Sequence, residues 1–293
     1  MGKTISRRDL LHAGYGTTAM LSVSALAGRS AQAQPAAQAG AQCVNASEDL
    51  FYREDWFGEP WHKPETAVLI HGNDESSIVW YAWMPRMAQE FRVIRPDLPG
   101  FGRSRVPAGF AWSLPSLATF IARVLDKAGA DRAHIIGAKT GGAIAMQFAA
   151  DYPDRTLTLA VASGPASVIE ISNPSPVPQR DRLGSHAPKE MIDYWNTMFA
   201  TAPEEGKKGL GTALAKFDLA RDGVLRRIKA PSLVITADKS ALQSVEKVRQ
   251  YQRQIPNSRL VVLNSDAYHI AAANAAECVS NVLAFVNQTK QKT

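Results

Sequence analysis

Short apolar runs and longer stretches of helical spacing alternate along the chain from Glu65 onward. The runs Ala67–Ile70, Arg92–Ile94, His134–Ile136, Leu157–Ala162, Ser232–Thr236 and Arg259–Leu263 read as buried strands, because they are apolar without a polar alternate. Between them, apolar residues three and four apart predict helices at Trp83–Glu90, Ser116–Ala128, Thr140–Asp151, Val245–Gln254 and Asn274–Asn287. Strand and helix in turn favour a mostly parallel twisted sheet with helices on both faces, an α/β protein of about eight strands. Ahead of that series, "DLFYREDWFGEPWHK" alternates and carries Gly58 and Pro60, which predicts an antiparallel hairpin at the sheet edge turning at those residues.

The rhythm breaks between Ile169 and Arg226, a polar stretch with Pro174, Pro176, Pro178 and Pro188 and only modest helical periodicity. An insertion there, after the sixth strand, predicts a short helical lid at about 169–226 over whatever the strand ends hold. The N-terminus follows a different logic. Arg7 and Arg8 stand before a weakly apolar run that ends in the small-residue pattern Ala31-Gln32-Ala33, as in a twin-arginine export signal. The expected organisation is therefore a signal over residues 1–33, a linker over 34–50 and one domain over 51–293, with the mature protein periplasmic or secreted.

Charge adds little to this picture. The formal net charge is +6, of which the leader supplies half, and the remainder is too small and too evenly spread to argue for nucleic acid or stable membrane association. A small molecule is the expected partner, and no spacing of His, Cys, Asp or Glu calls for a metal or another cofactor. The cysteines are Cys43 and Cys278; they read as two separate thiols or, less readily, as one bridge formed after export.

Candidate chemistry gathers after the strands, in four places. "HGN" (His71–Asn73) follows the first buried strand, and "RPDLPGFGRS" (Arg95–Ser104) follows the second, where Asp97 reads as a turn-stabilising carboxylate. "HIIGAKTGG" (His134–Gly142) joins a strand to a small-residue helix through a glycine-rich turn, and "NSDAYHIAAANAAE" sets His269 before the last helix. In this order and spacing the chain resembles the α/β-hydrolase superfamily, in particular its lidded branch of enol-lactonases, epoxide hydrolases, haloalkane dehalogenases and carbon–carbon bond hydrolases, over about Phe51 to the C-terminus. The resemblance implies a hydrolase-like enzyme with a nucleophile elbow at Lys139, a general base at His269, and an acid to orient it at Asp238, with Asp266 as a second choice. It also implies an oxyanion hole from the backbone amides of Asn73 and Thr140, and a substrate pocket lined by the aromatic residues Trp80 and Tyr81 beside Trp83.

Lys139 departs from the family pattern of Ser, Asp or Cys. A lysine amine attacking an ester would leave an amide, too stable to turn over, so ordinary acyl-enzyme hydrolysis is not expected. Three roles stay open: a neutral amine forming an imine with a carbonyl, as in a lyase or decarboxylase; a general base working with His269; or an ammonium paired with Asp74 or Glu75 that anchors an anion or enolate. The expected activity is cleavage of a small ester, lactone or carbon–carbon bond next to a ketone. A ligand-binding pseudo-hydrolase is the alternative from another class.

Overall fold

The computed structural model describes residues 42–47, 49–168 and 177–291, all within one compact unit. The expected export signal lies outside the described residues, as does the start of the expected lid. An eight-stranded sheet carries the molecule: β1 (Gln42–Ser47), β2 (Leu50–Asp55), β3 (Thr66–Ile70), β4 (Arg92–Pro96), β5 (Ala133–Ala138), β6 (Thr156–Ala162), β7 (Ser232–Ala237) and β8 (Ser258–Leu263). Its order is β1-β2-β4-β3-β5-β6-β7-β8, with the β1–β2 and β2–β4 pairings antiparallel and the others parallel.

Helices α1 (Met84–Glu90), α2 (Leu114–Lys127) and α3 (Thr140–Asp151) sit where the periodicity placed them, as do α8 (Val245–Gln252) and α10 (Ala275–Lys290). Local chemistry sets their starts: the Ser113 hydroxyl accepts from the Ser116 amide at the head of α2, and Ser244 caps α8 through Lys247. Alternate residues of β3 feed two different cores, Val68 and Ile70 one side, Ala67 and Leu69 the other. A strand buried on both faces cannot show polar alternation, which is why these runs are uniformly apolar.

The hairpin differs from expectation. β2 pairs with β1 on one side and β4 on the other, so the turn falls between residues 47 and 50 rather than at Gly58 and Pro60. Trp56 to Pro64 instead form a largely exposed connection into β3, where the prolines lack the amide a ladder needs. β1 therefore occupies part of the segment read as linker.

Between β6 and β7 the described part of the insertion folds into α4 (Gln179–Leu183), α5 (Lys189–Thr201), α6 (Glu204–Leu214) and α7 (Val224–Arg227). A one-turn helix α9 (Ile270–Ala273) precedes α10. Cys278 on α10 is a buried free thiol that donates to the Ile270 carbonyl at 3.5 Å; the Cys43 side chain lies outside the described residues. The carboxyl ends of β3, β5 and β8 open onto one place, and α5 lies against it.

Candidate active site

The turn after β5 is built around two glycines. A β-carbon on Gly137 would come within 2.3 Å of the Gly141 carbonyl, and one on Gly141 within 2.3 Å of the Ile70 carbonyl, so strand, turn and helix can close only with hydrogen at both positions. Lys139 stands at the apex with φ +53°, a backbone conformation that side chains with a β-carbon seldom adopt. Its amide donates to Ala162 and its carbonyl accepts from Gly142, which pins the turn from both sides.

The turn after β3 approaches from the side. His71 accepts the Leu98 amide on Nε2 at 2.9 Å and bonds the Gly72 carbonyl through Nδ1 at 2.7 Å, which puts its proton on Nδ1 and ties this loop to the turn after β4. Asp97, on that second turn, accepts the Ser77 and Arg103 amides and so has the structural role its sequence context suggests. Beyond Gly72, Asp74 also has a positive φ of 61°, and this bend delivers Glu75 to the centre.

Glu75 is the hub. One oxygen, Oε1, lies 2.5 Å from Lys139 Nζ and 2.6 Å from His269 Nε2, while Oε2 accepts the Gly72 amide at 2.9 Å. All three side chains are buried. Helix α5 covers them: the Phe199 ring lies 4.9 Å from Lys139 Nζ, and Trp195 meets the His269 ring edge-on at 5.5 Å. His269 itself is held by its amide, which donates to the Arg182 carbonyl at 2.8 Å.

Burial alone would push the Glu75 carboxyl up, but Lys139 and His269 outweigh it and hold the group well below the usual carboxylate range. Burial pushes Lys139 below an ordinary lysine against the pull of Glu75, and it lowers His269 in the same way. The consistent proton assignment is Glu75 ionised, with His269 neutral and donating through Nε2. That leaves a lone pair on His269 Nδ1, a buried atom with no hydrogen-bond partner. A cavity of about 320 Å³ leads to Glu75 from outside, walled by Asp74, Ser76 and Ile78 on one side and by Tyr194, Thr197 and Met198 of α5 on the other.

The sequence and the fold have relatives. A family model described as the alpha/beta hydrolase fold matches residues 67–183. A poly(3-hydroxyalkanoate) depolymerase of Ectopseudomonas oleovorans is 28% identical over 254 residues, 80% of this chain and 88% of that protein. A 2-hydroxy-6-oxo-2,4-heptadienoate hydrolase of Pseudomonas putida is 31% identical over 110 residues, 36% of this chain and 40% of its own length. Like it, several of the curated relatives are matched over less than half their length. Among solved structures, the enol-lactonase from Burkholderia xenovorans LB400 superposes with a TM-score of 0.69 at 22% identity, covering 81% of this chain and 96% of that one. The chain has the α/β-hydrolase fold.

On this fold the structure brings Lys139 and His269 together, but through Glu75. Asp238, expected to orient His269, does not reach it: its carboxylate accepts the Ser265 amide at 2.9 Å and closes the end of the β7–β8 ladder. Asp266 is likewise engaged elsewhere, accepting from the Ser185 amide. Asn73 and Thr140 do adjoin, yet the Asn73 amide donates to the Thr140 hydroxyl at 2.7 Å, so an incoming oxygen has to displace that hydroxyl to use it.

Trp80 is a core residue, packed edge-on against Trp83, and is not among the residues walling the cavity. Its 3₁₀ turn, Ser77–Trp80, aims it inward, while Tyr81 stays half exposed against Tyr194 and Trp195. Glu75 was legible as one of two possible partners for the lysine, though its bond to His269 was not. Among the described residues no cluster of His, Cys, Asp and Glu suits a metal ion, and no helix is long and apolar enough to cross a membrane.

Proposed function

We propose that this hydrolase-like enzyme cleaves a small, largely apolar ester, lactone or related carbonyl compound by direct attack of water, with no covalent intermediate at the elbow. The observation that carries the reading is the Glu75 carboxylate shared between Lys139 and His269. Glu75 on Nε2 leaves the base on Nδ1, the exchanged-nitrogen counterpart of the carboxylate–histidine pairs that serve other hydrolases. The same carboxylate keeps a proton on Lys139, so the ammonium is suited to polarise a carbonyl oxygen and hold the charge that develops there. An imine would require that proton to leave and would strip Glu75 of its partner, so the ion pair favours electrophile over imine former. The substrate approaches along the cavity beside α5 and displaces Phe199 from over Lys139.

Similarity to the poly(3-hydroxyalkanoate) depolymerase and the 2-hydroxy-6-oxo-2,4-heptadienoate hydrolase supports a carbonyl substrate of this kind. Export through the twin-arginine leader places the reaction in the periplasm or outside the cell; N-terminal sequencing of exported protein should start at Gln34, and an intact Met1 removes that part of the reading.

A panel of p-nitrophenyl esters, lactones and β-diketones tests the activity. Lys139→Met and His269→Ala should each cost about 100-fold or more in kcat on any compound turned over. Because the neutral imidazole is the competent form and burial lowers its pKa, the acid limb of kcat/KM should fall below pH 6.5. Borohydride with a turned-over ketone should leave no adduct on Lys139; a reduced adduct there would establish imine chemistry instead.

A further inference from the structure

Hydrolysis moves two protons, one off the attacking water and one onto the leaving group. His269 accounts for the first. Glu75 cannot supply the second, because it is ionised and already accepts from three donors.

Asp74 is the other carboxyl lining the cavity beside Glu75, and three features bear on its role. It forms part of the cavity wall beside Glu75. Its Oδ1 is buried with no hydrogen-bond partner, while Oδ2 accepts from the Asn73 side chain at 3.1 Å. Its backbone is held at φ +61°, a bend that Gly or Asn would serve as well, so the turn alone does not call for a carboxyl. A turn that needed only its shape would not bury an unpaired oxygen, since a desolvated acceptor without a donor costs stability.

We propose that Asp74 is a further catalytic residue, the general acid that protonates the leaving oxygen of a substrate lying in the cavity. The inference rests on the hydrolase reading. Water adds to the carbonyl carbon as His269 Nδ1 takes one of its protons, and the carbonyl oxygen, held by Lys139, takes the electron pair. Collapse of that adduct re-forms the carbonyl and breaks the carbon–oxygen bond, and the Asp74 carboxyl gives its proton to the departing alkoxide. The proton on His269 then passes, through solvent, to the Asp74 carboxylate, so that ester and water become acid and alcohol with the site restored.

The surroundings suit the role. Burial raises Asp74 above an ordinary aspartate; Lys139, Lys207 and Arg182 pull the other way and Glu75 adds to the rise, with a net upward shift. An acid catalyst is competent only while protonated, so kcat should fall as pH rises through the Asp74 value.

The test compares wild type, Asp74→Asn and Asp74→Gly on p-nitrophenyl butyrate and on a slower ester with a poor alcohol leaving group. Both replacements tolerate positive φ, so the turn should survive, and melting curves check that it does. The expected result is a loss of about 100-fold in kcat on the slower ester with KM little changed and the alkaline limb gone. The loss should be smaller on p-nitrophenyl butyrate, whose leaving group needs no proton, and added formate should restore part of the activity of Asp74→Gly. If both variants keep the wild-type kcat and pH profile, Asp74 is only a turn residue and the hydrolase reading stands without it. Wild type inert on every ester, lactone and β-diketone overturns both.

Discussion

At the scale of single residues, the centre of this molecule is a balance of buried charges. Glu75, Lys139 and His269 together carry no net charge in the assigned state, and each side chain is tolerable in the interior only because of the others. Removing one member is therefore worse than removing two. Glu75→Gln keeps the shape and abandons a buried ammonium, which should destabilise the fold by about 3–5 kcal/mol in urea unfolding. Adding Lys139→Met should recover much of that loss, because the double variant no longer holds an unpaired charge. A double variant as unstable as the sum of its single parents would show that Glu75 and Lys139 do not stabilise one another.

At the scale of elements, the elbow is where sequence and geometry agree most closely. Gly141 touches the Ile70 and His71 carbonyls, backbone atoms that cannot move aside, so Gly141→Ala should cost about 1–3 kcal/mol and loosen the turn. Gly211 sits exposed inside α6, where an added methyl would find nothing within 4 Å, so Gly211→Ala should instead stabilise by up to about 1 kcal/mol. Equal effects at both glycines would mean that helix propensity, not close approach, governs the elbow. The same contrast explains what could be read in advance. Strands such as Ala67–Ile70 and helices such as α3 were legible because burial on both faces, or all round, writes itself into composition. The β1–β2 pairing was not, because Leu50–Asp55 mixes buried and partly exposed residues and its partner precedes the readable domain. Lys139 and His269 are marked by their turns, whereas the acid is expected at Asp238 only because that is the carboxylate in the loop where the family usually carries one. Nothing local to Glu75 records that a loop 194 residues away in sequence will bring a histidine against it.

At the scale of the whole molecule, the buried imidazoles make folding a proton-linked reaction. His71, His134 and His269 are all pushed below the ordinary histidine value of 6.5, burial being the largest cause for each. In the unfolded chain the same rings titrate near that value, so on acidification the unfolded state takes up protons that the native state refuses. Stability contributed by these groups is present above pH 6.5 and is lost as pH falls through it towards their lower native values. Glu75, lowered well below 4.5, adds a second loss that starts only in that more acidic range. Asp74 runs the other way, one carboxyl against three imidazoles. Each proton of difference steepens the fall by about 1.4 kcal/mol per pH unit, so three rings together set a limit of about 4 kcal/mol per unit. Urea midpoints measured from pH 7.5 down to pH 5 should therefore drop steeply, and His134→Gln should flatten the curve without touching the site, since His134 sits at the far end of β5 against Thr158 and Glu65. A midpoint constant across that range would mean that the imidazoles are not buried as neutral groups, and would remove the free base on which the proposed hydrolysis depends.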